Sequence, residues 1–186
     1  MKLWSQFHNH IVAALLPLFL LCAPAFGQTP KLDDLFQRLK TADAQAAGRL
    51  EAEIWIEWSK SGSPAMDLLL DRGRKAMAAG VNDVAIEHLT ALVDHAPDFA
   101  EGWNARATAF YSAGQFGPAV SDIGRVLSLN PRHFGALAGL AMIFEGLDRK
   151  AKALEVYRAV LAIHPHAAGV SDAIERLETA LQGQDL

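Results

Sequence analysis

Small and large apolar residues alternate with a helical period along most of this chain, and the pattern itself recurs every 34 residues. Leu69, Trp103 and Leu137 occupy one equivalent position, Gly73, Ala107 and Ala141 a second, and Ala76, Phe110 and Phe144 a third. A small residue between two large ones lets two helices approach within contact distance while the large side chains fill the groove between them. A second helix repeats the logic: Ala85, Ala119 and Ala153 are small, followed by Leu89, Ile123 and Tyr157, then by Leu92, Val126 and Val160. Pro97, Pro131 and Pro165 then end that helix, because proline lacks a donor N–H and disfavours helical geometry in the residue before it. The pattern predicts three helix–turn–helix units beginning near Met66, Ala100 and Phe134. A unit of this length cannot bury its apolar face alone, so the units must stack, leaving an extended curved surface.

Elements are predicted on both sides of the units. Upstream, over residues 31–60, Leu32, Leu35, Phe36 and Leu39 make one apolar face and Leu50, Ile54, Trp55 and Trp58 another, as in a degenerate helical hairpin. Trp55 and Trp58, one turn apart, are expected in the core, closing the N-terminal end of the stack. Ser59 to Pro64 is a loop by composition and is read as a turn between stacked units, since six residues is an ordinary connection. Downstream, over residues 168–182, Val170, Ile174, Leu177 and Leu181 predict a terminal helix that covers the last open face.

The first 27 residues change the count of what folds. Lys2, an apolar run from Ile11 to Leu21 and small residues around Phe26 form the three parts of a secretory signal peptide. Ile11 to Phe26 is 16 residues, with Pro17 and Pro24 inside, short of the ~20 that a spanning helix needs. A membrane association is expected only if this segment is kept, and a lipid anchor at Cys22 is disfavoured by the bulky Leu21. Removal after Gly27 leaves a cysteine-free chain whose stability comes from packing, and a bacterial periplasm fits best. Net charge is −4, with 17 basic and 21 acidic residues intermixed. Nucleic-acid binding demands concentrated positive charge and is therefore not expected.

The seven matched positions resemble the tetratricopeptide repeat family, with units at residues 66–99, 100–133 and 134–167. The resemblance implies an all-α, right-handed superhelical stack of antiparallel helix pairs. The turns at Ala79-Gly80 and Ala113-Gly114 match the family's, whereas the glycine of the third unit, Gly146, is displaced two residues from its place, which predicts a turn of different shape. The family's concave face implies a partner-binding groove lined by Asp67, Leu70, Asp71, Arg74 and Met77, then Glu101, Asn104, Thr108 and Tyr111, then Gly135, Ala138, Met142 and Glu145. Methionine and tyrosine adapt to varied apolar partners, and small residues let a peptide backbone come close. Of the lysine, arginine and asparagine set with which some members clamp a terminal carboxylate, only Arg74 and Asn104 are present. The groove therefore suits a protein or peptide with apolar anchors and some positive charge.

Charged residues inside the pattern need partners. Arg72 and Arg106 occupy equivalent, normally apolar positions, and Asp122 is the expected structural ion-pair partner of Arg106, because an unpaired buried charge is costly. His95, His133, His164 and His166 all lie near the proline-bearing connections and read as loop histidines. The alternative is that they form a metal-binding or enzymatic edge, with His164 and His166 as ligands. No catalytic serine elbow, zinc-protease helix, phosphate-cradling loop or thiolate is present, so neither enzymatic activity nor a cofactor is expected.

Overall fold

A computed structural model describes residues 29–182, and the expected signal segment lies outside them. Among the described residues the chain is all-helical. Six helices form three pairs: α3 (Pro64–Ala78) with α4 (Asn82–His95), α5 (Ala100–Ser112) with α6 (Phe116–Leu129), and α7 (Phe134–Gly146) with α8 (Lys150–Ile163). Two helices precede them, α1 (Pro30–Thr41) and α2 (Ala44–Trp58), and α9 (Val170–Gln182) follows. The second helices begin at residues 82, 116 and 150, so the 34-residue sequence period is the period of the backbone.

The expected small positions are the closest contacts. Ala85, Ala119 and Ala153 have no exposed surface, and Leu92, Val126 and Val160 are buried beside them. At Gly73 even a β-carbon would lie 2.5 Å from Leu89 Cγ, so α3 and α4 touch more closely there than alanine permits. α9 buries Val170, Ala173 and Leu177 against the last pair and turns its charged residues outward, closing that end.

The third turn does not differ in shape. Asp148, and not the displaced Gly146, takes the left-handed conformation at φ 56°, where Gly80 and Gly114 stand at φ 73° in the other units. The same two hydrogen bonds close all three turns: Val81 N to Ala76 O, Gln115 N to Phe110 O and Arg149 N to Phe144 O, with a second from residue 80, 114 or 148. Stacking of the flanking helices dictates the turn geometry, and aspartate tolerates that conformation better than most residues with a β-carbon.

The hairpin consists of α1 and α2, with Thr29 and Asp43 capping its helices through their side chains. Its apolar face is fully used: Leu35, Leu39 and Ile54 are at most 1% exposed. At about 1.5–3 kcal/mol each, such side chains supply much of what holds it in place. Its position corrects the expectation. The hairpin does not stack on α3, and residues 59–63 are not an inter-repeat turn but a connection that sends the chain back along the edge of the stack. Asp33 there pairs with Arg132 at 2.7 Å and Glu51 meets His164 at 3.1 Å. Trp58 lies on His133, ring centroids 4.1 Å apart and nearly parallel, so it is core, but core of the loop edge and not of the N-terminal end.

The reason is visible in the first unit. Ala105 and Ala109 in α5 are buried against the preceding pair, and the equivalent residues of α3 are Asp71 and Lys75, which pair with each other at 2.7 Å and remain largely exposed. Burying those charges beneath another helix pair would cost more than the contact returns. The stack therefore ends at α3 in solvent, and the apolar hairpin finds its cover elsewhere.

Candidate interaction groove

The first helix of each pair faces the concave side, and α2 covers part of that side by laying Trp55 on Gly135 and Trp58 on His133. In the covered half, Glu101 is 3% exposed and is the centre of a polar cluster. It accepts hydrogen bonds from Arg74 Nη2 at 2.6 Å and from Asn104 Nδ2 at 3.2 Å. His133 Nδ1 accepts from the Ala136 N–H, which assigns the ring hydrogen to Nε2, and Nε2 donates to Glu101 at 3.0 Å. Arg74 also donates to Ser59 Oγ, which ties the start of the connection to α3. Trp55 rests on Gly135, where a β-carbon would come within 2.6 Å of the indole.

These contacts correct the expected lining. Glu101, Asn104 and Arg74 satisfy one another, and Leu70 is buried in the core between the first two pairs. Asp67 is bound to the backbone N–H of Ser61 at 2.9 Å, and Asp71 faces the solvated end of the stack. Met77 packs at the margin of the first core. The first unit thus contributes little open groove.

The other half is open. A cleft of about 360 Å³ runs between α5 and α7, lined by Thr108, Tyr111, Ser112, Ala138, Gly139 and Met142. It continues, through the shared Tyr111, Ala138 and Met142, into a second hollow of about 520 Å³ that reaches Glu145, Tyr157 and the start of α9. Its floor is low because the third unit carries Ala138 and Gly139 where the second has Asn104 and Ala105. Met142 projects from it, 46% exposed. At the far end Glu145 accepts from the Tyr157 hydroxyl at 3.3 Å and from Arg176 of α9. Burial, and then the Glu145 carboxylate, push the Tyr157 phenol up to about 12, while the same carboxylate raises Arg176. The groove is therefore an apolar, small-floored channel with a neutralised ion pair at one end.

Of the remaining sequence expectations, Arg106 and Asp122 form a two-pronged pair, Nε to Oδ2 at 2.7 Å and Nη2 to Oδ1 at 2.9 Å. Trp103 lies under the guanidinium at 4.8 Å. Arg72 does not point into the stack and is exposed. The four edge histidines separate: His95 and His166 are exposed, whereas His133 and His164 are core groups, at most 1% exposed, each on a carboxylate. Among the described residues no three of His, Cys, Asp and Glu are gathered as a metal would require. Sequence reasoning missed the Glu101 cluster and the folded-back hairpin. Gly135, standing where the other units have Asp67 and Glu101, was the available sign that something large sits there.

A family model described as tetratricopeptide repeat matches residues 70–119 and 104–168. A TPR repeat-containing protein of Rhizobium etli is 35% identical over 154 residues, covering 82% of this chain and 76% of its own. Sperm-associated antigen 1A of Danio rerio is 28% identical over 130 residues, 66% of this chain and 30% of its own length. Among solved structures, the first TPR of Spaghetti (RPAP3) bound to the HSP90 peptide SRMEEVD superposes with a TM-score of 0.61 at 24% identity, covering 64% of this chain and 95% of that one. MamA does so with a TM-score of 0.60 at 21% identity, covering 80% and 85%. With the 34-residue period, the paired helices and these matches in agreement, the chain belongs to the tetratricopeptide repeat family.

Proposed function

We propose that this protein is an exported scaffold of the bacterial envelope that holds a segment of another protein in the channel between α5, α7 and α9, without chemistry of its own. The observation that carries the reading is the continuous open channel along Thr108, Tyr111, Ala138 and Met142. Its small floor admits a peptide backbone, and its methionine and tyrosine adapt to apolar anchors. The first TPR of Spaghetti is bound to the HSP90 peptide SRMEEVD, but here Arg74 and Asn104 are both engaged by Glu101, so neither is free for a terminal carboxylate. An apolar-anchored segment fits better. Export rests on the N-terminal pattern of Lys2, Ile11 to Leu21 and Ala25 to Gly27.

Photo-crosslinking in intact cells tests the groove, with the reactive group at Tyr111 or Met142 and at the exposed Arg158 as control. A discrete protein captured from the groove positions and not from Arg158 is the expected result. Capture from no position, or equally from the control, would sink the groove reading. Intact mass tests export separately: a mature chain beginning at Gln28 is expected, and retention of residues 1–27 would refute cleavage.

A further inference from the structure

We infer that the α1–α2 hairpin is a displaceable strap: docked, as described above, it closes one half of the concave surface, and it lifts off as a unit about residues 59–63 to bare that half. This goes beyond the groove reading and does not depend on it.

The first observation is where the imperfections lie. Among the described residues, the buried side-chain polar atoms without a hydrogen-bond partner are Trp58 Nε1, Arg132 Nε and His164 Nδ1. All three belong to the contact between hairpin and stack. Trp58 covers His133, Arg132 holds Asp33 and lies over the Phe36 ring, and His164 binds Glu51. Lifting the hairpin would return each atom to water.

The second is that the first two joints of the stack are complete without it. The two cores that join the first pair to the second and the second to the third contain no residue of α1 or α2. The N-terminal end is solvated by Asp71 and Lys75, and α9 covers the other. Only the core at the third pair is shared with the hairpin.

The third is a built seat and a built hinge. Gly135 makes room for Trp55 at a position that carries Asp67 and Glu101 in the other units. The connection is Ser59, Lys60, Ser61, Gly62 and Ser63, with Gly62 at φ 81°, and it is anchored to α3 by Arg74 on Ser59 and Asp67 on Ser61, so the hairpin turns about a fixed base. Lifted, the strap would expose Arg74, Glu101, Asn104, His133 and Gly135. Asn104 and Gly135 already border the open channel, so the bared half would extend it as one groove with a polar end.

Native-state amide hydrogen exchange on the mature chain tests this, with Gly135→Leu as a wedge. Residue 135 of the repeat accepts a side chain in the other two units, so the variant strikes Trp55 and not the stack. In the unaltered protein, amides of α1 and α2 should exchange at least about ten-fold faster than those of α5 to α8. In Gly135→Leu they should accelerate by roughly a further hundred-fold, with α5 and α6 unchanged and protease cleavage appearing within residues 59–63. One common rate for hairpin and stack in the unaltered protein would overturn the proposal, whether or not the variant folds. So would a folded variant whose hairpin stays as protected as before.

Discussion

The Arg106–Asp122 pair can be tested against a substitution that the chain itself contains. The third unit has Leu140 and Val156 at the two equivalent positions, both packed among apolar neighbours. Asp122→Val alone strands a guanidinium whose side chain is 15% exposed. Removing one partner of a fully buried pair costs about 3–5 kcal/mol. Partial exposure, the Thr90 hydroxyl at 3.3 Å and the Trp103 ring offset some of this, leaving a loss of about 2–4 kcal/mol. Arg106→Leu with Asp122→Val removes both charges and should return stability to within about 1 kcal/mol of the original, since well-packed apolar residues replace buried pairs without net loss. Urea unfolding of the four proteins of the cycle measures this, and in thermal unfolding the single change should lower the melting temperature by roughly 5–15 °C. A single substitution costing under about 0.5 kcal/mol, or a double variant as unstable as the single one, would refute the argument that the pair is coupled and dispensable as a unit.

Gly73→Ala should destabilise by about 1 kcal/mol although alanine is the better helix former, because its β-carbon would lie 2.5–2.6 Å from the fully buried Leu89; unchanged or raised stability in urea would contradict the packing. Asp148→Gly should stabilise by about 0.5–1 kcal/mol by relieving the left-handed backbone, seen as a higher denaturation midpoint, and a loss would mean the aspartate does more than close a turn. Tyr157, raised to about 12 mainly by burial, favours its protonated form in the folded state. That contribution is present below the ordinary phenol value of 10.0 and is lost as pH rises towards 12. Ultraviolet titration of Glu145→Gln should lower the Tyr157 midpoint but keep it above 10.0, and a return to the ordinary value would assign the shift to Glu145 and not to burial.

How much could be read in advance depended on the range of the interaction. The fold class, the three pairs and their spacing were legible because each unit repeats the same local choice: Ala85, Ala119 and Ala153 bury nothing but a close contact, and the following proline stops the helix each time. The Arg106–Asp122 pairing was legible for the same reason, as the two residues share one unit. The third turn was misread, since a missing glycine suggested a new shape, whereas the flanking helices impose the old one on Asp148. Of the groove, Tyr111, Ala138, Met142 and Glu145 border the open channel, as does Asn104, while Glu101 and Arg74 are held in a polar cluster. That side of the groove is covered by α2, whose contacts reach residues 133 to 135 and 164, far along the chain.

By itself, then, the sequence determined the periodic part of this protein: apolar spacing and turn signals act between near neighbours and repeat until they are unmistakable. Only the tertiary structure decided where the one non-repeating element goes. The hairpin's faces announce that it must be covered, but not by what. That choice turned on Asp71 and Lys75 refusing burial at one end, and on Gly135 and His133 offering a seat along the edge. It is a competition between distant surfaces, settled by desolvation and shape, which no local pattern of residues encodes.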